Sequence, residues 1–399
     1  MTFTDDARAM QDDLVALRRR LHAEPEVGLD LPRTQEKVLA ALDELPLEVS
    51  TGSALSSVTA VLRGGGAGPP VLLRGDMDGL PVTEKTGLDY ASRLDGAMHA
   101  CGHDLHTTML VGAARLLAAR RDELAGDVIF MFQPGEESGW DGAGKMLAEG
   151  ILDAAGERPA AAYGLHVASA MYTKDTFVTR SGPLLAASDR LAVTVRGEGG
   201  HGSSPYRAKD PIPAACEMVT ALQTLLTRNF NPFDPVVLTV GSFHAGTMHN
   251  VIPDSAHFDA TVRSFSASAR KGLSEKTVRL VRSVAEAYGL EADIDYTEEY
   301  PVTATDDGET AFVERTATEI FGDDRFERAG DPMMGSEDFS RVLEKVPGCF
   351  VWLGACPPGR DPETAAMNHS PLAQFDDDVL ADGSGLMAEL AARRLERGH

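Results

Sequence analysis

Val128-Ile-Phe-Met-Phe-Gln-Pro-Gly-Glu-Glu-Ser138 joins an uninterrupted apolar run to a polar turn. An unbroken apolar run, without the alternation of a one-sided strand, predicts a buried strand of an α/β sheet. Pro134-Gly135 ends it, so Glu136 and Glu137 fall where the strand gives way to a loop. In open α/β sheets, ligands and catalytic groups gather at the carboxyl ends of strands. Adjacent carboxylates on a turning backbone project in different directions, so one can ligate a cation while the other handles a proton.

Upstream, Met98-His-Ala-Cys-Gly-His-Asp-Leu-His106 packs Cys101 among three histidines and an aspartate. Such a density of soft and borderline ligands points to a metal site. Cys101 and His103, one residue apart, can reach one centre or two adjacent ones; His99 and His106 are read as packing residues. A helix is expected over Leu105 to Leu124, closed by Gly126, so the cluster lies in a loop that feeds it. Pro69 to Leu73 predicts another buried strand, running into Arg74-Gly-Asp-Met-Asp-Gly-Leu-Pro81. Its Asp76 and Asp78 would share a face if the strand continued, although such a pair more often serves a turn. Ala160 to Leu165 reads as a strand ending at His166, a third ligand type at a strand terminus. At the N-terminus, Met10, Leu14, Leu17 and Leu21 recur at helical spacing until Pro25, and His22 beside that stop is assigned a structural role.

The chain's 399 residues exceed one ordinary core, so two domains are expected. Asp and Glu number 61 against 37 Lys and Arg, a net charge of −24 that repels nucleic-acid phosphates and anionic lipid. No signal-like N-terminus and no apolar stretch of spanning length is present, so a cytoplasmic protein without a membrane partner is expected. Cys101, Cys216, Cys349 and Cys356 form no paired spacing, which argues for reduced thiols.

Near Ala187 the pattern changes. Leu191 to Val195 alternates like a half-buried strand, Pro211 to Leu226 is helical, Val236 to Val240 and His257 to Val262 are strands, Lys271 to Ala287 is a helix and Ala292 to Tyr296 a strand. That order describes an α+β unit of the ferredoxin-like kind. The fold expected is thus α/β: a catalytic domain (1–186 and 297–399) with a mixed, mostly parallel sheet flanked by helices, and an inserted domain (187–296). Behind the insert, Cys349-Phe-Val-Trp-Leu353 is a core strand and Asn368-His-Ser-Pro371 a loop before the last helix. Within the insert, Gly197-Glu-Gly-Gly-His-Gly-Ser-Ser-Pro205 sets His201 in a glycine-rich loop, which lacks the context of a phosphate loop. Arg263 ends a strand; in a cleft, its fork of donors would match a carboxylate.

These segments, with Gly164-Leu-His166, Asn250-Val-Ile-Pro253 and Gly335-Ser-Glu-Asp-Phe339, resemble the M20 metallopeptidases in the same order along nearly the whole chain. More narrowly they are similar to the amidohydrolase branch that includes hippurate hydrolases, N-acetyl-amino-acid deacetylases and indole-acetyl-amino-acid hydrolases. The resemblance implies metal-dependent hydrolysis of the amide bond of N-acyl amino acids, releasing a carboxylic acid and a free amino acid. It makes Cys101 a bridging thiolate, with His103, Glu137, His166 and His369 completing two divalent sites for zinc, manganese, cobalt or nickel. Glu136 becomes the catalytic base and Asp78 the aspartate that orients a ligand. His201 reaches the reacting carbonyl oxygen, Asn250 and Arg263 hold substrate, and the inserted domain acts as a lid through which a homodimer forms. Tyr206, where relatives often have histidine, and Gly79, where alanine is usual, depart from the pattern without touching a ligand.

Three rival readings compete with this one. A cysteine hydrolase built on Cys101 would leave Glu136, Glu137, His166 and His369 without a task. A dipeptidase or aminopeptidase would use the same dinuclear site. A metal- or ligand-binding module would need no base, yet one is present.

Overall fold

The computed structural model describes residues 2–397. Among these residues the helices are α1 (Phe3–Ala9), α2 (Gln11–His22), α3 (Pro32–Leu42), α4 (His103–Ala118), α5 (Gly142–Ala148), α6 (Pro211–Asn229), α7 (Ala267–Ala287), α8 (Asp307–Phe321), α9 (Ser340–Leu343) and α10 (Val379–Glu396). The larger sheet contains β1 (Leu47–Thr51), β2 (Val58–Leu62), β3 (Gly68–Asp76), β4 (Gly126–Gln133), β5 (Ala161–Ala168) and β6 (Phe177–Thr179). Next come β7 (Gly182–Leu185), β8 (Ala187–Arg196), β9 (Gly200–His201), β10 (Val236–Ala245), β11 (Val251–Ile252), β12 (Ser255–Ser264), β13 (Glu291–Tyr300) and β14 (Thr303–Thr305). The last strands, β15 (Phe326–Arg328) and β16 (Gly348–Gly354), return to the larger sheet.

The described residues form two compact units, one of residues 2–184, 304–331 and 338–397, the other of residues 185–303 and 332–337. In the first, eight strands run in the order β1-β2-β4-β3-β5-β16-β6-β15. The middle four, β4, β3, β5 and β16, are mutually parallel, and β2 and β6 flank them in antiparallel pairings. Parallel strands need crossovers, and α4 supplies the one from β3 to β4. The middle strands are apolar on both faces because helices cover both. Leu14 and Leu17 of α2, Leu110 and Leu117 of α4, and Leu386 and Leu390 of α10 join Leu73, Phe130 and Leu165 of the sheet in one core. Among the described residues no helix is long and apolar enough to cross a membrane.

The second unit follows β8-α6-β10-β12-α7-β13, with sheet order β10-β12-β8-β13 and antiparallel neighbours throughout. That is the ferredoxin-like arrangement. Ala214, Met218 and Leu222 of α6 and Leu273, Val281 and Ala285 of α7 cover one sheet face, built from Leu191, Val193, Leu238, Phe258 and Val262.

Among the boundaries that differ from expectation, four bear on the site or on the extent of the insert. Helix α4 ends at Ala118, and a single 3₁₀ turn at Arg121–Glu123 replaces its expected last turns. It also begins at His103, so only the segment before Gly102 is loop. His166 lies inside β5, opposite Trp352 of β16, because the ladder continues to Ala168. Residue 297, the expected point of return, falls within β13, which stays paired with β8 as far as Tyr300.

Candidate metal centre

The register of the sheet places Asp76 at the end of β3 beside Gln133 at the end of β4, with β5 pairing β3 on its other side. Three parallel strands therefore deliver Asp78, Glu136-Glu137 and His166 to one edge. Cys101 and His103 arrive from the start of α4, across Gly102. That glycine has φ +88, and a Cβ on it would lie 2.4 Å from the Val167 side chain, so no larger residue fits. His369 comes from the loop before α10 with φ 71, an uncommon backbone for a non-glycine residue. Its neighbour Asn368 holds the loop in place. The Asn368 amide donates to the Cys101 and Val167 carbonyls at 3.1 and 3.0 Å, and its oxygen accepts the Ser169 N–H at 2.9 Å.

Cys101 Sγ lies 3.4 Å from His166 Nε2 and 3.3 Å from His369 Nε2. His369 Nε2 is 3.1 Å from Glu137 Oε1, and His103 Nε2 is 4.0 Å from the same oxygen. The donor atoms of Cys101, His103 and His166 all fall within 4.8 Å of one another, as do those of Cys101, Glu137 and His369. Two ligand groups thus share one sulfur. A third group, His103, Glu136 and Glu137, brings the Glu136 carboxylate to the same place. Asp78 organises them from beneath: its two oxygens accept the N–H groups of Glu136 and Glu137 at 3.1 Å, and one lies 3.3 Å from His103 Nδ1.

Electrostatics make this a place that attracts cations. Burial pushes the His103 imidazole down, but Asp76, the Cys101 sulfur and Asp78 outweigh it and raise its pKa well above the usual value. His369 is pushed up to about 10 by its contacts with Cys101 and Glu137. Glu137 is lowered: burial opposes, while His369 and His103 prevail. His166 is driven well below its normal range by burial and by the neighbouring His106. Protons on His103 and His369 balance the neighbouring carboxylates, and a divalent ion would displace them. His103 Nε2 is buried without a hydrogen-bond partner, which costs about 1–3 kcal/mol. A cation would satisfy it, and the mixture of thiol, imidazole and carboxylate donors suits a first-row divalent ion.

Two readings from sequence need correction. Asp76 is no turn residue: fully buried, it pairs with Arg74 Nη1 and His106 Nδ1, both at 2.6 Å. His106 does more than pack, because its other nitrogen accepts the Val167 N–H at 2.8 Å and fixes the end of β5. A buried polar group unnoticed in the sequence supports the far side. Arg74 Nε donates to Gln133 Oε1 at 2.9 Å, Arg74 Nη2 approaches Asp338 at 3.2 Å, and Asp338 also accepts from Gln133 and from the Ala143 N–H. Gln133 and Asp338 both lie inside segments singled out above; an arginine two residues before a buried aspartate was the available signal.

The inserted unit places its residues differently. His201 in β9 pairs with Val251 of β11, and its Nδ1 lies 2.8 Å from Ser203 Oγ. Asn250 precedes β11, and its carbonyl accepts the Gly202 N–H at 2.9 Å, so these two residues share one loop cluster. Arg263 does not join them. It stands opposite Ser188, whose hydroxyl accepts from it at 2.7 Å, whereas β8 leads to His201 from its other end, where Arg196 faces Ser255. Burial lowers the Arg263 pKa, against Glu299 and Asp189.

The profile of Peptidase family M20/M25/M40 matches residues 72–393. The chain is 34% identical over 394 residues to thermostable carboxypeptidase 1 of Saccharolobus solfataricus, covering 98% of this chain and 97% of that protein. It is 35% identical to the N-acetylcysteine deacetylase of Bacillus subtilis, covering 98% of each. It is 36% identical to the IAA-amino acid hydrolase ILR1-like 4 of Arabidopsis thaliana, covering 96% and 86%. A solved Bacillus subtilis structure, described as a dinuclear metal-binding peptidase of the M20 family, superposes with a TM-score of 0.83 at 33% identity, covering 98% and 99%. Matches of this extent, over a fold that gathers a thiol, three imidazoles and two glutamates at the ends of parallel strands, make the chain a hydrolytic enzyme belonging to peptidase family M20/M25/M40.

Proposed function

We propose that the enzyme hydrolyses the amide bond of N-acyl amino acids at a centre that would take two divalent cations, with Cys101, His103, Glu137, His166 and His369 as the residues that would hold them. The observation that carries this reading is the pair of ligand groups sharing the Cys101 sulfur, with the Glu136 carboxylate beside them. Zinc, manganese, cobalt or nickel would serve, since imidazole and thiolate suit several. When bound, the cations would polarise the scissile carbonyl and bring the pKa of water from about 15.7 toward neutrality.

Glu136 takes the proton of the attacking water as the new C–O bond forms, then delivers it to the amine nitrogen as the C–N bond breaks. Asp78, through the backbone of Glu136 and Glu137, keeps base and ligand in register. His201 donates to the developing oxyanion. Asn250 holds the substrate; Arg263, at the opposite end of its sheet and bonded to Ser188, is left out of this site. Dimerisation through the inserted unit and a cytoplasmic location complete the proposal; the net charge of −24 disfavours nucleic acid and anionic membranes as partners.

The acyl side is read from exposure. Among the described residues the catalytic unit exposes six large apolar side chains: Val27, Val49, Trp140, Met171, Met367 and Leu372. All but Val49 border the loops of the centre. Val27 bridges Gly79, Trp140 follows Glu137, Met171 follows His166, and Met367 and Leu372 flank His369. Exposed apolar residues close in sequence to the candidate ligands are candidates for a surface that meets a bulky acyl group, which favours benzoyl or indole-acetyl over acetyl.

The test is elemental analysis, then chelation, remetallation and a screen on acetyl, benzoyl and indole-acetyl amino acids against free dipeptides. Hydrolysis lost with the metal, restored by it and fastest on bulky acyl groups is expected. Preference for free dipeptides would move the reading to a dipeptidase, and a metal-loaded but inactive protein would reduce it to a binding module.

A further inference from the structure

Helix α2 buries Leu14, Leu17 and Leu21, as its spacing dictates, but also Arg18, whose exposure is 0%. Removing a guanidinium from water costs several kcal/mol, and an apolar residue of similar volume often serves stability as well or better. Arg18 Nε lies 2.8 Å from Asp104 Oδ2, its Nη1 3.0 Å from Asp377, and its guanidinium is 4.9 Å from the Tyr90 ring centre. His22, one turn further on, adds a second contact to the same Asp104 oxygen at 2.8 Å and reaches Glu84 at 3.2 Å. Glu84 in turn accepts the Ser92 N–H at 2.7 Å and the Thr86 hydroxyl, and the Ala23 carbonyl accepts the Arg93 N–H at 2.9 Å.

Apart from the Asp377 pair, these contacts converge on one stretch and on Asp104 just beyond it. Between β3 and α4 the chain runs from Met77 to Gly102 without a helix or a strand, carrying Asp78 near its start and Cys101 near its end. The bridge between Leu80 and Met98, a few turns and the hydrogen bonds to Glu84 are what tie it to itself. A segment without a ladder keeps its shape through side-chain anchors, and this one is anchored to the end of α2. Asp104 lies in the first turn of α4, next to His103. The His103 ring is approached by Asp78 on the ligand side, and the following residue is gripped by Arg18 and His22 on the core side.

We propose that Arg18 and His22 are positioning residues for the metal centre, acting through Asp104 and Glu84 on the segment that presents Cys101 and His103. The inference rests on the dinuclear reading above, and its test separates the two. Metal-free protein, prepared with a chelator, is titrated with Zn²⁺ in competition with a chromophoric chelator, below the melting temperature of every variant. Wild type, Arg18→Met, Arg18→Lys, His22→Gln and Glu84→Gln are compared. Cation affinity is expected to fall about tenfold, the lower end for groups that orient ligands, in Arg18→Met and His22→Gln. Arg18→Lys, which keeps a charge beside Asp104, should recover part of the loss, and Glu84→Gln should show a smaller one. Should Arg18→Met fail to fold, His22→Gln carries the comparison. Folded variants with wild-type Zn²⁺ affinity and only a lower melting temperature overturn the inference; a wild type that binds no Zn²⁺ overturns the centre itself.

Discussion

The ligand cluster of the catalytic unit and the His201 loop of the inserted unit use the same residue types in opposite ways. His103, His166 and Glu137 are buried, and each meets a neighbour fixed by a strand end or a helix start. His201 and Asn250 are exposed, tied down by Ser203 and a two-residue ladder, and Arg263 stands at the other end of its sheet. The first arrangement is organised before anything binds, as cation binding demands. The second consists of single exposed polar groups, whose part in the reaction belongs to the proposal above.

Substitutions can break or sharpen that contrast. Glu136→Gln should keep its metal content, measured by elemental analysis, and lower kcat about 10²–10⁴-fold, the range for a lost general base; retained turnover removes Glu136 from the base role. His201→Ala should lower kcat about 10²–10³-fold with metal content unchanged, as when an oxyanion donor is removed. Wild-type turnover there would leave the inserted unit without a chemical role and collapse the contrast. On the buried side, Asp78→Asn should weaken cation affinity about 10–100-fold, and Cys101→Ala should lose metal outright; full occupancy in the latter would take the thiol out of the centre.

The smallest effect concerns pH. In metal-free protein the His369 pKa is raised to about 10. Its contacts with Cys101 and Glu137 therefore stabilise the fold fully below the ordinary histidine value of about 6.5 and are lost as pH rises through about 10. Because His369 is half exposed, the drop in melting temperature over that window should be slight. Cation uptake must displace the same proton, so affinity should fall as pH is lowered. A metal-free melting curve that rises between pH 7 and 10 would contradict the assignment.

Much of this could be read from the chain because the chemistry sits where local pattern is strong. The apolar run into Glu136-Glu137 and the crowd around Cys101 each announce themselves within a few residues. What the sequence hid depends on tertiary partners. Asp76 looks like turn chemistry until Arg74 and His106 close on it, and Gln133 looks like a strand end until Asp338 arrives from far along the chain. Strand β13 was cut short because its apolar alternation stops at Tyr296, whereas its ladder continues past Glu298 through a register shift. The end of α4 was overrun because Ala119 to Glu123 retains helix-favouring residues, and the chain tightens into 3₁₀ geometry there.

The insertion also sets an order of events during synthesis. Cys101, His103, Glu137 and His166 leave the ribosome about 200 residues before His369, and β16, which covers the exposed flank of β5, follows the insert as well. At about 5–20 residues per second the nascent chain spends roughly 10–40 s with four of the five candidate ligands made and its central sheet unfinished. Any cation captured during that interval would be held without His369, so the proposed shell would close only once the C-terminal segment has docked.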